Sequence, residues 1–168
     1  MKNVDYGLRV APTDVHLVGN NLVGVEVGVD VGAHAEALLT FCRIEKLSLV
    51  DIWDNPQQYG YCLGRLETKF KRGSFEMLPT TSMKARVSFE NNSLDFIYFD
   101  HLHDYTNVKD DLNFWLIKLK RKAIIGYRHY MKYPGLTKAI DEFLKETNFK
   151  FIVENEEIII FNNISKDE

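Results

Sequence analysis

Val23-Gly24-Val25-Glu26-Val27-Gly28-Val29-Asp30-Val31-Gly32-Ala33-His34 decides how this chain folds. A valine-rich run meets an acid, two glycines follow four residues apart, and Ala35, Glu36, Ala37, Leu38 and Leu39 then supply residues that start a helix. That order predicts a strand, a tight turn and a helix N-terminus, a geometry that holds nucleotide-like ligands against backbone N–H groups. A dinucleotide fingerprint has the spacing Gly-x-Gly-x-x-Gly, whose second glycine lets the backbone approach a pyrophosphate. Asp30 stands in that place here. An acid there disfavours a diphosphate and favours a nucleoside of lower negative charge, or a cationic one.

Working outward, Ala35, Leu38, Leu39 and Cys42 recur at helical spacing, and the helix is expected to end near Arg43. Leu47-Ser48-Leu49-Val50-Asp51 reads as a second strand, its terminal acid 19 residues after Gly32. In a nucleotide-binding βαβ unit, an acid at that point accepts hydrogen bonds from ribose hydroxyls. Leu63, Leu66 and Phe70 predict a helix beginning after Pro56, and residues 74–78 a third strand. Pro79-Thr80-Thr81-Ser82 then caps a short helix running to Arg86. Leu94-Asp95-Phe96-Ile97-Tyr98-Phe99-Asp100 has the near-continuous apolar character of a central parallel strand. Val108, Leu112, Trp115, Leu116 and Leu119 mark a helix, with Lys118, Lys120, Arg121 and Lys122 at its carboxyl end offsetting the dipole. A fifth strand covers residues 123–127, and a helix opening at Pro134 carries Leu136, Ala139, Ile140 and Phe143. Residues 149–153 and 158–161 are too close for a crossover and must pair antiparallel.

Alternation of this kind predicts a doubly wound α/β fold, with a mainly parallel sheet of about seven strands closed by an antiparallel C-terminal hairpin. Residues 1–22, with turn signals at Pro12 and Asn20-Asn21, form a lead-in to a single domain spanning 1–168. Such a sheet binds its ligand beyond the carboxyl ends of its strands. Glu26 with Asp30, Asp51, Asp100 with His103, and Arg128 with His129 all fall there.

The bulk numbers narrow the partners. A length of 168 residues, 45% of them hydrophobic, suits one domain with a full core. A net charge of -3 and a pI near 6.0 provide no basic field, so a nucleic-acid partner is not expected. No stretch approaches the ~20 apolar residues that span a bilayer, and no apolar run follows Lys2, Asn3 and Asp5, so a cytoplasmic location without membrane attachment is expected. Cys42 and Cys62 lack the spacing of a disulfide framework or a zinc site. Nothing here chooses between a monomer and a homo-oligomer.

Taken together, residues 22–161 resemble the class I S-adenosylmethionine-dependent methyltransferases, closest to the branch that includes sugar O-methyltransferases of macrolide biosynthesis. Val25-Glu26-Val27-Gly28 through Gly32 is similar to that family's first motif, and Asp51 in Leu49-Val50-Asp51-Ile52-Trp53 to the acid that holds the ribose. The stretch from Leu94 to Asp100, followed by His103 and Tyr105, resembles the pattern leucine-aspartate-phenylalanine, an apolar run, aspartate, two residues, histidine. Gly126, Tyr130, Pro134-Gly135 and the run from Ala139 to Phe143 are similar to the next block.

The resemblance implies S-adenosylmethionine as cofactor, with contacts at Glu26, Gly28, Asp30, Gly32, Asp51, Ile52 and Asp100. Thr81 and Ser82 either reach the adenine edge or cap a helix. Trp53 and Tyr59 either cover the adenine or belong to the core. His103, assisted by Asp100, is the candidate base for a small hydroxylated acceptor such as a sugar; the alternative is a histidine that bonds a neighbouring loop. His34 reads as a surface residue.

Two departures stand out. Relatives often carry an acid pair or a histidine–aspartate pair after the fifth strand, contributing to a divalent metal site, whereas this chain has Arg128-His129. A guanidinium cannot ligate a metal and repels it. His101-Leu102 stands where glycine and aspartate are common. Asp100 and His129, with His101 and His103, remain the metal-ligand candidates. Two further readings stay open: a cofactor-binding module that has lost catalysis, and a nicotinamide-dependent oxidoreductase, which Asp30 and the hairpin disfavour.

Overall fold

Residues 7–162 are described by the computed structural model. Strands and helices alternate in the order β1 (Leu22–Val27), α1 (Ala33–Phe41), β2 (Ile44–Asp51), α2 (Pro56–Glu67), β3 (Phe75–Pro79) and α3 (Ser82–Ala85). They continue as β4 (Leu94–Phe99), α4 (Tyr105–Trp115), β5 (Leu119–Tyr127), α5 (Pro134–Thr147), β6 (Lys150–Glu154) and β7 (Glu157–Phe161). The sheet has the strand order β3-β2-β1-β4-β5-β7-β6. β1 to β5 pair in parallel, and β7 is antiparallel to both β5 and β6. Asn155 and Glu156, both at positive φ (49° and 65°), make the tight two-residue turn that this last pairing requires.

Side chains alternate across the strands and so build one core on each face. Val25, Val27, Ile97, Phe99 and Ile125 pack with Val108, Leu112 and Trp115 of α4 and Leu136 and Ile140 of α5. Leu47, Leu49, Phe96 and Ile159 pack with Ala35 and Leu38 of α1 and Cys62 and Leu66 of α2. Each large side chain buried in this way contributes about 1.5–3 kcal/mol. Asn55 caps α2 by accepting from Gln57 N at 3.0 Å, with Pro56 in the first turn, and Asp104 caps α4 by accepting from Asn107 N at 3.1 Å.

Two placements differ from the sequence reading. Lys120, Arg121 and Lys122 lie in β5, not at a helix end: α4 stops at Trp115, a 3-10 turn covers Leu116–Lys118, and the strand begins at Leu119. Lys120 Nζ pairs with Asp95 Oδ2 of β4 at 2.8 Å, while Lys122 sits at φ 69° where the β4–β5 register shifts. The described part of the lead-in, from residue 7 onward, also has a definite structure. It forms a 3-10 turn over Pro12–His16 and is tied to the C-terminal hairpin, Thr13 N donating to Glu157 Oε1 at 2.7 Å and Tyr98 OH to Glu157 Oε2 at 2.8 Å.

After β1 the chain builds outward to β3, then returns beside β1 to build β4 and β5. This reversal opens a crevice beyond the carboxyl ends of β1 and β4.

Candidate active site

A cleft of about 1190 Å³ occupies that crevice. Such a volume exceeds the ~300–1,000 Å³ of an ordinary ligand pocket, leaving room for a nucleoside-sized molecule and a second, smaller one.

One half is made by the glycine turn. Gly28 leaves β1 at φ 87°, where a Cβ would stand 2.2 Å from the Asp100 carbonyl oxygen, so only glycine lets β1 and β4 end this close together. Gly32 adopts φ 76° immediately before α1, and a Cβ there would meet Cys62 Sγ at 2.7 Å. Between them Asp30 takes a left-handed conformation at φ 53°. Asp51, at the end of β2, holds the turn in place: its Oδ2 accepts from Val29 N at 2.7 Å and Asp30 N at 3.0 Å, and its Oδ1 from Trp53 N at 2.9 Å. The exposed carboxylate of Asp30 accepts from Gln58 Nε2 at 2.7 Å, and Asp54 joins Asp30 and Asp51 on the same wall.

Apolar side chains complete this half. Ile52 is 58% exposed and, with Val31 and Met83, lines the cleft. Trp53 is buried, packs edge-on against Tyr59 at 5.2 Å and donates Nε1–H to the Asp30 carbonyl, so both rings support the wall from the core. Thr81 and Ser82 line the cleft as well, but Thr81 Oγ1 caps α3 by accepting from Lys84 N at 3.3 Å. Ser82 Oγ donates to Asp111 and accepts from Trp115 Nε1 at 2.8 Å.

The other half surrounds Asp100, beyond β4. Its Oδ2 accepts from Arg9 Nη1 at 2.5 Å and from Arg128 Nη1 at 2.8 Å. Burial alone would raise the carboxyl pKa, but Arg9 and Arg128 overcome that and hold it below the ordinary aspartate value. Facing Oδ1 are two imidazoles, His103 Nε2 at 4.0 Å and His129 Nε2 at 3.8 Å, both beyond hydrogen-bonding distance. Tyr133 stacks on His103 with centroids 4.5 Å apart, and His129 lies edge-on to both rings. Burial lowers the His103 pKa; Asp100 opposes it, and His129, His101 and Lys132 lower it further. His129 is lowered by burial and then by Arg128. Both rings are therefore neutral near pH 7. His101 turns away, its Nε2 pairing with Asp111 at 2.7 Å.

Arg9 had no signal in the sequence, and its attachment explains why. His34, expected on the surface, is 1% exposed and sits between two buried carboxylates, Nδ1 3.2 Å from Glu26 Oε1 and Nε2 2.9 Å from Asp14 Oδ1. With an acceptor at each nitrogen, the ring donates from both and is an imidazolium. Burial lowers its pKa, yet Glu26 and Asp14 prevail and raise it to about 9. Asp14 also accepts from Ala11 N at 2.9 Å, closing the 3-10 turn that holds Arg9 over the site. Glu26 thus serves this buried network and lies 3.9 Å from Arg9 Nη2; its residue is fully buried and absent from the cleft lining.

Asp100, His103 and His129 each offer a donor atom, all within 4.8 Å of one another, which is the spacing of a metal-ligand cluster. Their charge environment does not fit one. Two guanidiniums already occupy the single carboxylate, and a divalent cation there would sit against both.

The glycine turn, the acid ending β2 and the Asp100–His103 pair at the sheet's reversal define a class I, S-adenosylmethionine-dependent methyltransferase. A sequence model described as a methyltransferase domain matches residues 25–127, and the chain belongs to that family. Solved structures with the same fold include SMU.1697c from Streptococcus mutans, assigned as a methyltransferase and bound to S-adenosylhomocysteine (SAH); it is 13% identical, with a TM-score of 0.68, covering 92% of this chain and 99% of that one. The O-methyltransferase NovP is 14% identical, with a TM-score of 0.66 and coverage of 89% and 74%. The N-methyltransferase NodS from Bradyrhizobium japonicum WM9 is 16% identical, with a TM-score of 0.64 and coverage of 90% and 93%. No curated protein matches the chain. Among the described residues no helix is long and apolar enough to cross a membrane.

Proposed function

We propose that this methyltransferase acts on the oxygen of a small hydroxylated acceptor, such as a sugar, with His103 as general base. The observation that carries the reading is the neutral, half-buried imidazole of His103 beside Asp100 on the wall of a two-part cleft.

The acidic half suits the nucleoside, where Asp51, Asp30 and Asp54 offer acceptors to ribose hydroxyls and Ile52 and Met83 an apolar surface to the adenine. Arg9, fixed on the cleft wall by Asp100, offers its remaining N–H donors to the carboxylate of the methionine tail. The cofactor supplies an electrophilic methyl on a sulfonium. As the acceptor oxygen receives that methyl group, His103 would take the hydroxyl proton at a ring nitrogen. Asp100 then faces the imidazolium and stabilises it, while Tyr133 holds the ring's orientation. No step in this scheme uses a metal.

The test is release of SAH from S-adenosylmethionine across a panel of hydroxylated acceptors, with and without a chelator. Acceptor-dependent release, equal in both arms, is expected. Release only on amine acceptors would overturn O-methylation, and loss of release with chelator would overturn the metal-free scheme.

A further inference from the structure

One carboxylate oxygen of Asp100, Oδ2, serves both Arg9 and Arg128. Arg9 has a second carboxylate, Glu26, within 3.9 Å, so its charge is answered twice. Arg128 has no other acid among the described residues, and its side chain is 39% exposed on the cleft wall. Its Nη1 hydrogen bond to Asp100 fixes the guanidinium plane and leaves further N–H donors of the fork open. Lys132, four residues on, has no carboxylate partner among the described residues; its Nζ stands 5.5 Å from the Tyr133 ring. Its charge reaches both His103 and His129. Three aromatic rings in contact, His103, His129 and Tyr133, therefore have the Arg128 guanidinium and the Lys132 ammonium as charged neighbours.

We infer that the acceptor of the methyl group is an anion, a hydroxylated molecule whose carboxylate or phosphate is held by the Arg128 fork, with the exposed Lys132 beside Tyr133 adding to the attraction. This rests on the reading of His103 as the base, which puts the acceptor at this end of the cleft. A planar fork already oriented by one acid recognises an oxyanion by two parallel hydrogen bonds, and the ammonium adds attraction without geometry. Arg128, one of the two cations that keep a divalent metal away, is what would draw such an acceptor in.

The experiment is calorimetric titration of the SAH-bound protein with benzoate, phenyl phosphate and the neutral isostere benzamide. At least one anion is expected to bind about tenfold or more tightly than benzamide, as one charge-assisted hydrogen bond over a neutral one implies. The tighter of the two names the source as carboxylate or phosphate. Arg128→Gln is expected to remove the preference, Arg128→Lys to keep only part of it, and Lys132→Gln, at an exposed position, to weaken it without disturbing the fold. Equal binding of all three probes overturns the inference, as does a preference that survives both Arg128→Gln and Lys132→Gln. A third contrary result would be Arg128→Gln weakening SAH tenfold while sparing 5′-methylthioadenosine, which lacks the amino-acid tail; Arg128 would then read the cofactor. Failure of SAH to bind the wild type would instead overturn the methyltransferase reading itself.

Discussion

Between Gly28 and Asp54 the wall of the cleft is shaped by backbone, bent by two glycines and pinned by three N–H donors to Asp51, whereas around Asp100 it is shaped by side chains from the lead-in, β4, β5 and the start of α5. The first half carries acids facing outward; the second carries two arginines and neutral imidazoles around a single acid. Backbone geometry tolerates little change and reads a common ligand, while an assembly of side chains can be altered one residue at a time. In the proposed reading the nucleoside of the cofactor belongs to the first half and the acceptor to the second.

Breaking the second half at His103 should have the largest effect. His103→Ala is expected to lower turnover by about 10²- to 10⁴-fold, the contribution of a positioned base, while SAH binding stays near that of the wild type; unchanged turnover removes His103 from the role. With the base held neutral by burial and its cationic neighbours, the acid limb of the pH–rate profile should fall below the ordinary histidine value of ~6.5. Gly28→Ala breaks the first half. Its methyl group would meet the Asp100 carbonyl, and a positive φ is unfavourable for alanine, so a loss of about 3 kcal/mol is expected in denaturant unfolding, together with weaker SAH binding.

The link between the halves is the imidazolium of His34. Its folded pKa of about 9 lies above the ordinary value of 6.5, so its contribution is complete below pH 6.5 and is lost as pH rises through 9. Stability should fall over that window by on the order of 3 kcal/mol, and His34→Gln should flatten the dependence. Asp51→Asn sharpens the comparison by the smallest amount. Asparagine has a single acceptor oxygen, so the turn keeps the hydrogen bonds to one oxygen of residue 51 and loses those to the other together with the charge, and SAH affinity should drop about tenfold.

What could be read from sequence follows the same division. β1, its turn, α1 and Asp51 were legible because a valine run, two glycines and an acid at the right interval are local signals of backbone shape. The central strand ending in Asp100, with His103 three residues later, was legible for the same reason. Arg9 was not, because it reaches Asp100 from 91 residues away and nothing around it is periodic. His34 looked exposed as a polar residue opening a helix. Its burial depends on carboxylates 8 and 20 residues distant, which only the tertiary fold brings to its two nitrogens. The charged run from Lys120 to Lys122 masked the start of β5, since a bulged strand with exposed cations gives no period-two pattern.

The most direct test of the account is calorimetric titration of the wild-type protein with SAH and, separately, with a reduced nicotinamide dinucleotide. Saturable binding of SAH below ~1 mM, with none of the dinucleotide, is the predicted result. No binding of SAH at that concentration, or preferential binding of the dinucleotide, would contradict it.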